Sequence, residues 1–286
     1  MATNVVMPVP RRRRRISWSS PFTYALALAI AGVSIVPVVY VILGGFRTAG
    51  QIAANPAGLP NPWVWQTYVN VASAGNFWRL AFNSTVVALG TTLGVVALGV
   101  CAAFALARYR FRGREVLYTF FVVGLLFPAA AGILPLYLLL RDLSLDGSWW
   151  GVILPQVAFG LPLTIVILRP FLLAIPGELE DAASIDGSSK LGFFWRILLP
   201  LARPALVTVG VISFVASWNA FLLPLLILND AKLYTIPLGV AQFQGQYSSD
   251  TAAILAYTSL SMLPALLFFL VAERQIVGGL TGAVKG

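Results

Sequence analysis

The sequence predicts an all-α integral membrane protein with six transmembrane helices and both termini in the cytoplasm. Three observations carry that prediction. Only 10% of the 286 residues are charged and 59% are hydrophobic, whereas a soluble domain carries about 25% charged residues. Six runs reach the roughly 20 apolar residues that a spanning helix needs: 22–46, 80–106, 116–140, 150–173, 205–228 and 252–272. The 19 Lys and Arg are also spread very unevenly between those runs.

With the N-terminus inside, the inner segments hold fifteen cations: Arg11 to Arg15, Arg108, Arg110, Arg112, Arg114, Arg169, Lys190, Arg196, Arg203, Arg274 and Lys285. The outer segments hold four: Arg47, Arg79, Arg141 and Lys232. Cytoplasmic loops are the basic ones, so both ends lie inside. The net charge of +9 reads as membrane topology rather than as a nucleic-acid surface. The expected organisation is a basic tail over 1–21, a membrane domain over 22–272 with a long cytoplasmic loop at 176–204, and a cytoplasmic tail over 273–286.

The first run follows five arginines, as a signal peptide would. It is too long for a signal h-region, and its A-x-A patterns stand at its start, so an uncleaved helix is expected. The next outer segment, "NPAGLPNPWVWQTYVN" (55–70), reads as a folded cap, because Trp63, Trp65 and Tyr68 favour the bilayer interface. It is either a simple anchor or a partner contact. In the second run "GTTLG" (90–94) is a GxxxG pattern that lets helices approach closely. Prolines at 37, 128, 135, 155, 162, 224 and 264 are expected to kink the spans.

The absences are informative. There is no His and one Cys, which excludes intrachain disulfides, a Cys/His zinc centre and His-based acid–base catalysis. Cys101 reads as a small packing residue in an apolar run. No carboxylate lies mid-span, whereas ion-coupled carriers keep an ionisable or unwound polar site there. No G-x-x-x-x-G-K-[ST] loop is present, so the chain is not itself an ATPase.

One block departs from this pattern: "EDAASIDGSSKLGFFWRILLPLARP", 180–204. Pro176 and Gly177 break the preceding helix, and Glu178, Glu180 and Asp181 suit the first turn of a new one. Ala182 and Ala183 keep one side slim. Asp186-Gly187 signals a turn, and Ser188 or Ser189 can cap a second helix. Leu191, Phe194, Ile197 and Leu198 fall on one stripe, and Pro200 and Pro204 are expected to end that helix. The result is a knob with a charged tip and an apolar seat. An amphipathic loop on the bilayer surface would need neither the Asp-Gly turn nor the small tip.

The spacing Asp181-Ala182-Ala183, Gly187, Ile197-x-Leu199-Pro200 resembles the EAA loop of ABC-importer permeases, in the carbohydrate, maltose-type branch. "SFVASWNAFLLPLL" (213–226) is similar to the span-five signature of that branch, and "GLTGAVKG" (279–286) to its C-terminal tail. Two departures stand out: Asp181 where Glu is usual, and a tail one residue short. The resemblance implies the type I importer fold and a subunit of the bacterial inner membrane that is not itself an enzyme. Its loop residues Glu178, Glu180, Asp181, Ala182, Ala183, Asp186, Gly187 and Phe194 would couple to an ATPase, with Gly282, Lys285 and Gly286 as tail contacts. The implied partners are a second permease forming a heterodimer, two ATPase subunits carrying ATP and Mg, and an extracytoplasmic solute-binding protein. This chain would hold no cofactor and no metal. The solute would be a sugar or oligosaccharide, with glycerol phosphate or a polyol as the alternative. Trp218, Asn219 and Gln156 are candidate pathway residues, because amides and aromatic faces bind sugars. Helix packing is the competing role for the Trp and the Asn.

Overall fold

The computed structural model describes the backbone of residues 19–240 and 250–283, with side chains over 21–240 and 250–270. Arg11 to Arg15, Lys285 and Gly286 lie outside the described residues. Thirteen α-helices run in the order α1 (Ser19–Gly44), α2 (Ala49–Ala54), α3 (Gln66–Ser73), α4 (Gly75–Arg108), α5 (Arg114–Gly124), α6 (Ile133–Asp142), α7 (Trp150–Ala174), α8 (Glu178–Ile185), α9 (Lys190–Phe193), α10 (Leu199–Trp218), α11 (Leu222–Ile227), α12 (Ile236–Gly239) and α13 (Thr251–Ala283). No strand occurs among the described residues. Among the described residues five helical stretches are long and apolar enough to cross a membrane, or six if the bent pair 114–124 and 129–142 counts as one span.

The centre of the bundle is the crossing of α4 and α7, the most extensive helix contact, with α10 against both. Backbones can come this close because each helix turns glycines toward the other. A Cβ on Gly94 would lie 2.7 Å from Val157 Cγ2, and one on Gly160 would lie 2.8 Å from Val95 Cγ2. Gly90 meets Ile153, and Gly99 meets Thr164, in the same way. The GxxxG pattern therefore marks a real helix crossing.

The third span departs from expectation. Instead of one helix over 116–140, α5 and the segment Ala129–Asp142 meet at 89°. Pro128 explains the break: it is extended (φ −73°, ψ 105°), it cannot donate to the helix ladder, and it drives the preceding residue out of the α region. The fifth span departs in the opposite sense. Helix runs from Lys190 to Trp218 without a stop, and Pro200 and Pro204 do not end it. A π-helical turn over Phe194–Leu198 joins α9 to α10, with the Leu199 N–H reaching back to Phe194 O. Pro200 has no N–H to give, and the turn before it widens. The run expected to reach residue 228 breaks after Trp218, and α11 is a separate short helix. Helix α13 continues to Ala283, so Gly282 belongs to its last turn rather than to a separate tail. Cys101 is exposed, on a face of α4 turned away from the bundle.

At one end of the bundle, the cap end, residues 47–73 fold around Arg47. Its guanidinium is buried and donates to the carbonyls of Gln51 (2.6 Å), Asn55 (2.5 Å) and Pro56 (3.0 Å). Phe46 packs among the rings of Trp63, Trp65 and Tyr68. The Tyr68 hydroxyl donates to Ile42 O at 2.8 Å, and burial pushes its phenol above the ordinary range. The segment 229–240 closes the same end. Asn83 Nδ2 donates to Lys232 O and Tyr234 O, Ser84 Oγ accepts from the Ile236 N–H, and Tyr257 donates to Ile236 O. Backbone groups outside helices are thus satisfied where water is scarce.

The crossing makes a direct prediction. Gly94→Leu should overpack α4 against α7 and destabilise the protein by about 1–3 kcal/mol, read as an earlier thermal transition in detergent. Adding Val157→Ala should recover part of the loss. An unchanged transition in Gly94→Leu would mean that the two helices do not meet there.

Candidate coupling loop and membrane cavity

The loop between α7 and α10 lies at the end of the bundle opposite the cap. Helix α8 carries Glu178, Glu180 and Asp181 in its first turn and buries one side chain, Ala183. It ends in a complete Schellman closure: the Gly187 N–H bonds Ser184 O (3.1 Å) and the Ser188 N–H bonds Ala183 O (2.8 Å). That geometry puts Gly187 at φ +78°, where a side chain is strained. Ser189 caps α9, its Oγ accepting from the Gly192 N–H at 3.1 Å. The Asp-Gly turn and the Ser cap therefore build the bend between the two helices.

The seat is apolar and shared. Ala183, Phe193, Phe194, Leu198 and Ala202 pack into one cluster with Phe104 and Ala107 of α4 and Leu168 and Leu172 of α7. The rings of Phe194 and Phe104 are 4.9 Å apart. Ile197 is half-buried at the edge of this cluster, but Leu191 is 71% exposed. The expected stripe is corrected at that point: Phe193 takes the inner place, because the π turn adds a residue between it and Leu198 and shifts the register. Arg108 Nη2 donates to Ile175 O at 2.6 Å, fastening the start of the loop to α4.

The tip has no such partners. Glu178, Glu180, Asp181 and Asp186 form no ion pair among the described residues, and Ala182 and Gly187 are exposed. Nothing lies within 4 Å of a Cβ built on Gly187. Ile185, Leu191 and Trp195 are exposed on the same loop. Apolar side chains interleaved with unpaired carboxylates are characteristic of a contact surface. Sequence reasoning missed Ile185 and Trp195 and placed Leu191 in the seat; the alternation of Ile185 with the tip carboxylates was the available signal.

Beside the seat, Arg169 is buried in α7. It donates from Nε to Leu106 O (3.2 Å) and from Nη2 to Glu115 Oε1 (2.5 Å), and its guanidinium carbon lies 4.0 Å from the centre of the Tyr118 ring. Glu115 also takes a bond from Arg114. This cluster ties α5 to α4 and α7.

Between α4, α7, α10 and the broken third span lies a cavity of about 440 Å³. Gln156 lines it, with Thr91, Thr164, Ser213 and Ser217, and with Phe159 and Phe221 as aromatic walls. Thr91 and Ser217 both donate to Gln156 Oε1 (3.1 and 2.5 Å), while Nε2 is buried without a partner. Turning the amide over would exchange the two ends and still leave one polar atom free. Trp218 and Asn219 are not brought to this cavity. Trp218 is buried between α10 and α13, stacked on Phe214 and donating to Ser261 O at 3.1 Å. Asn219 is exposed at the end of α10, where Nδ2 bonds Val215 O.

A membrane bundle with a cavity between its helices, mainly apolar but bearing an amide and four hydroxyls, and with a seated loop bearing an unpaired charged tip, has the build of a transport subunit. The chain belongs to the family of binding-protein-dependent transport system inner membrane components, whose model matches residues 62–275. It is 32% identical to the diacetylchitobiose uptake system permease protein NgcG of Streptomyces coelicolor over 91% of this chain and 86% of that one. It is 32% identical to the trehalose transport system permease protein SugB of Mycobacterium tuberculosis over 96% and 99%. Against the arabinooligosaccharides transport system permease protein AraQ of Halalkalibacterium halodurans the identity is 30% over 95% and 97%. In fold it is similar to a chain of a bacterial ABC transporter that imports alginate (TM-score 0.76, 22% identity, 94% of this chain and 99% of that one). A lesser fold likeness links it to the MetNI methionine ABC transporter (TM-score 0.50, 15% identity, 71% and 94%).

Seat and tip should respond differently to substitution. Phe194→Ala should cost about 3–5 kcal/mol, and Ser189→Ala about 1 kcal/mol, in thermal or denaturant unfolding. Leu191→Ser should stay within about 0.5 kcal/mol of wild type. If Leu191→Ser were as damaging as Phe194→Ala, the π-shifted register would be wrong.

Proposed function

We propose that this chain is one of two permease subunits of an ATP-driven saccharide importer, with the loop 178–200 as the part an ATPase grips. The observation that carries this reading is the division of the loop: a seat buried in the bundle and a tip whose four carboxylates meet no cation among the described residues. Glu178, Glu180, Asp181 and Asp186 would face basic residues of the ATPase. Ala182 and Gly187 leave its surface room to approach, and Ile185, Leu191 and Trp195 would be covered on docking. Asp181 keeps the charge of the usual Glu at one methylene shorter reach. In this reading both termini are cytoplasmic, as the distribution of Lys and Arg supports. Gly282, Lys285 and Gly286 would reach the ATPase pair. ATP and Mg would bind the two ATPase subunits, with no cofactor on this chain and no reaction catalysed by it. A second, homologous permease would complete a heterodimer, and an extracytoplasmic solute-binding protein would deliver the solute.

The relatives named for diacetylchitobiose, trehalose and arabinooligosaccharide transport support a saccharide. The cavity supports a neutral one over glycerol phosphate. Among the described residues its lining is mainly aliphatic, with an amide, hydroxyls and two aromatic faces but no ionisable side chain, and burying an anion without a cation is costly. The Gln156 amide is the group we assign to the solute's hydroxyls, its buried Nε2 end turning into the cavity when the solute binds. Trp218 and Asn219 would act on the pathway indirectly, by holding the end of α10.

Co-expression with an ATPase and the partner permease tests the docking role. The wild type should retain the ATPase through purification in mild detergent, and Gly187→Arg should lose it. Gly187→Ala, which bears the same backbone strain without the bulk, should keep it. If no ATPase is ever retained and the chain alone moves a sugar across liposomes, the reading fails. In the reconstituted importer, Gln156→Ala should slow uptake of the neutral sugar by about tenfold, the effect of one lost hydrogen bond, with ATPase retention unchanged.

A further inference from the structure

We propose that the turn between α4 and α5 is a binding site for an anionic phospholipid, with the headgroup phosphate held at Arg110 and Arg114 and one acyl chain laid along α5. A second cavity, about 350 Å³, lies at this turn and is lined by Arg110, Phe111, Gly113, Arg114, Glu115 and Val116. It shares no lining residue with the cavity of Gln156, and it adjoins the start of α9, where Lys190 Nζ lies 4.9 Å from the centre of the Tyr109 ring.

Charge comes first. Arg110 and Arg112 are exposed and form no ion pair among the described residues. The single carboxylate in the wall, Glu115, is already engaged twice, by Arg114 at 2.9 Å and by the buried Arg169 at 2.5 Å. The wall thus holds two arginines, Arg110 and Arg114, against one carboxylate that is already paired, and the site is short of anions. The backbone adds to this excess. Helix α5 starts at the cavity, its N-cap is Gly113 at φ +87°, and no side chain caps it. The first N–H groups of a helix lack intrahelical acceptors and favour an anion.

The level of the site selects a lipid. Apolar α4 ends at Arg108 and apolar α5 begins at Arg114, so the turn stands where the hydrocarbon core gives way to headgroups. Val116 is at once a wall of the cavity and the first residue of an exposed apolar row. Val116, Phe120, Val123 and Phe127 follow at i, i+4, i+7 and i+11, all more than half exposed, and α5 buries no side chain at all. A phosphate bound at the arginines would place its acyl chain at the head of that row. A free phosphate would leave the row unused. Basic pockets beside spans are known to select anionic headgroups.

The test uses the whole importer in nanodiscs of equal phosphatidylglycerol and phosphatidylcholine, and measures lipids retained after transfer to detergent. Wild type should retain phosphatidylglycerol over phosphatidylcholine. Arg110→Ala should lower that preference by about fivefold, the effect of one basic residue at the surface, and Arg110→Lys should keep most of it. Arg141→Ala, a control at the other end of the bundle, should leave it unchanged. Equal retention of the two lipids, or an Arg110→Ala importer that retains phosphatidylglycerol like wild type, would overturn the proposal. Displacement of the lipid by excess inorganic phosphate would also overturn it, in favour of a free-phosphate site.

Discussion

The close crossing of α4 and α7 is the constraint on which the rest of the bundle depends. In a bilayer the lipid tails are as apolar as the helices, so association rests on packing rather than on escape from water. Glycines at 90, 94 and 99 on one helix and at 160 on the other let the two backbones meet over about three turns. Both functional regions are built from this pair. Thr91, Val95, Gln156 and Thr164 wall the cavity. One or two turns further along the same helices, Ala103, Phe104, Leu168 and Leu172 form the seat of the loop. The space for a solute and the socket for the coupling loop are two stretches of one interface.

The polar chemistry of the chain obeys the same economy. Buried donors at the cap end, Arg47, Asn83 and Tyr257, are spent on backbone carbonyls within residues 51–56 and 232–236, which lets those segments close over the spans. At the loop end, Arg108 and Arg169 do the same for Ile175 and Leu106. Among the described residues the exceptions are the buried Arg47 Nε, Thr92 Oγ1, Arg108 Nε, Gln156 Nε2 and Thr235 Oγ1, and the carboxylates of the loop tip, which form no ion pair. Of the buried ones only Gln156 also lines the cavity, and exceptions of this kind are expected at functional positions.

Much of this was legible in the sequence, for reasons tied to particular residues. Run length and the placement of Lys and Arg define the spans. Asp186-Gly187 and Ser189 define a helix end and a helix start, because few other residues serve a Schellman closure or an N-cap so well. What could not be read falls into three kinds. An apolar run containing a proline does not say whether the helix breaks, as at Pro128, or carries through, as at Pro200 and Pro204; the packing decides. A stripe drawn at the α-helical period cannot foresee a π turn, so Leu191 was assigned the place that Phe193 holds. The pairing of Arg169 with Glu115 spans 54 positions and depends on how α5 folds back on α7, which no local pattern contains. The cavity is of this third kind as well: Gln156 could be singled out as an amide in a span, but not the Thr91 and Ser217 hydroxyls that hold its oxygen.

The unbroken helix from Lys190 to Trp218 has a mechanical consequence for the proposed coupling. From Phe194 to Ser217 it extends about 35 Å at 1.5 Å per residue, and it carries seat residues at one end and cavity residues, Ser213 and Ser217, at the other. Its two weak points, the π turn and Pro204, both lie near the loop. Beyond Pro204 the hydrogen-bond ladder is intact, so a displacement that passes those points cannot be absorbed by bending. Val209 belongs to both regions: it packs in the seat cluster and lines the cavity. A push on α8 and α9 that shifts Phe193 and Phe194 within their socket must therefore move the α10 wall of the cavity against α4 and α7, or tear the loop from its seat. The depth of burial of Phe193 and Leu198, about 1% and 0% exposed, makes the second outcome the costlier one. The loop needs no rigidity of its own, because the helix that seats it is also the wall that has to move.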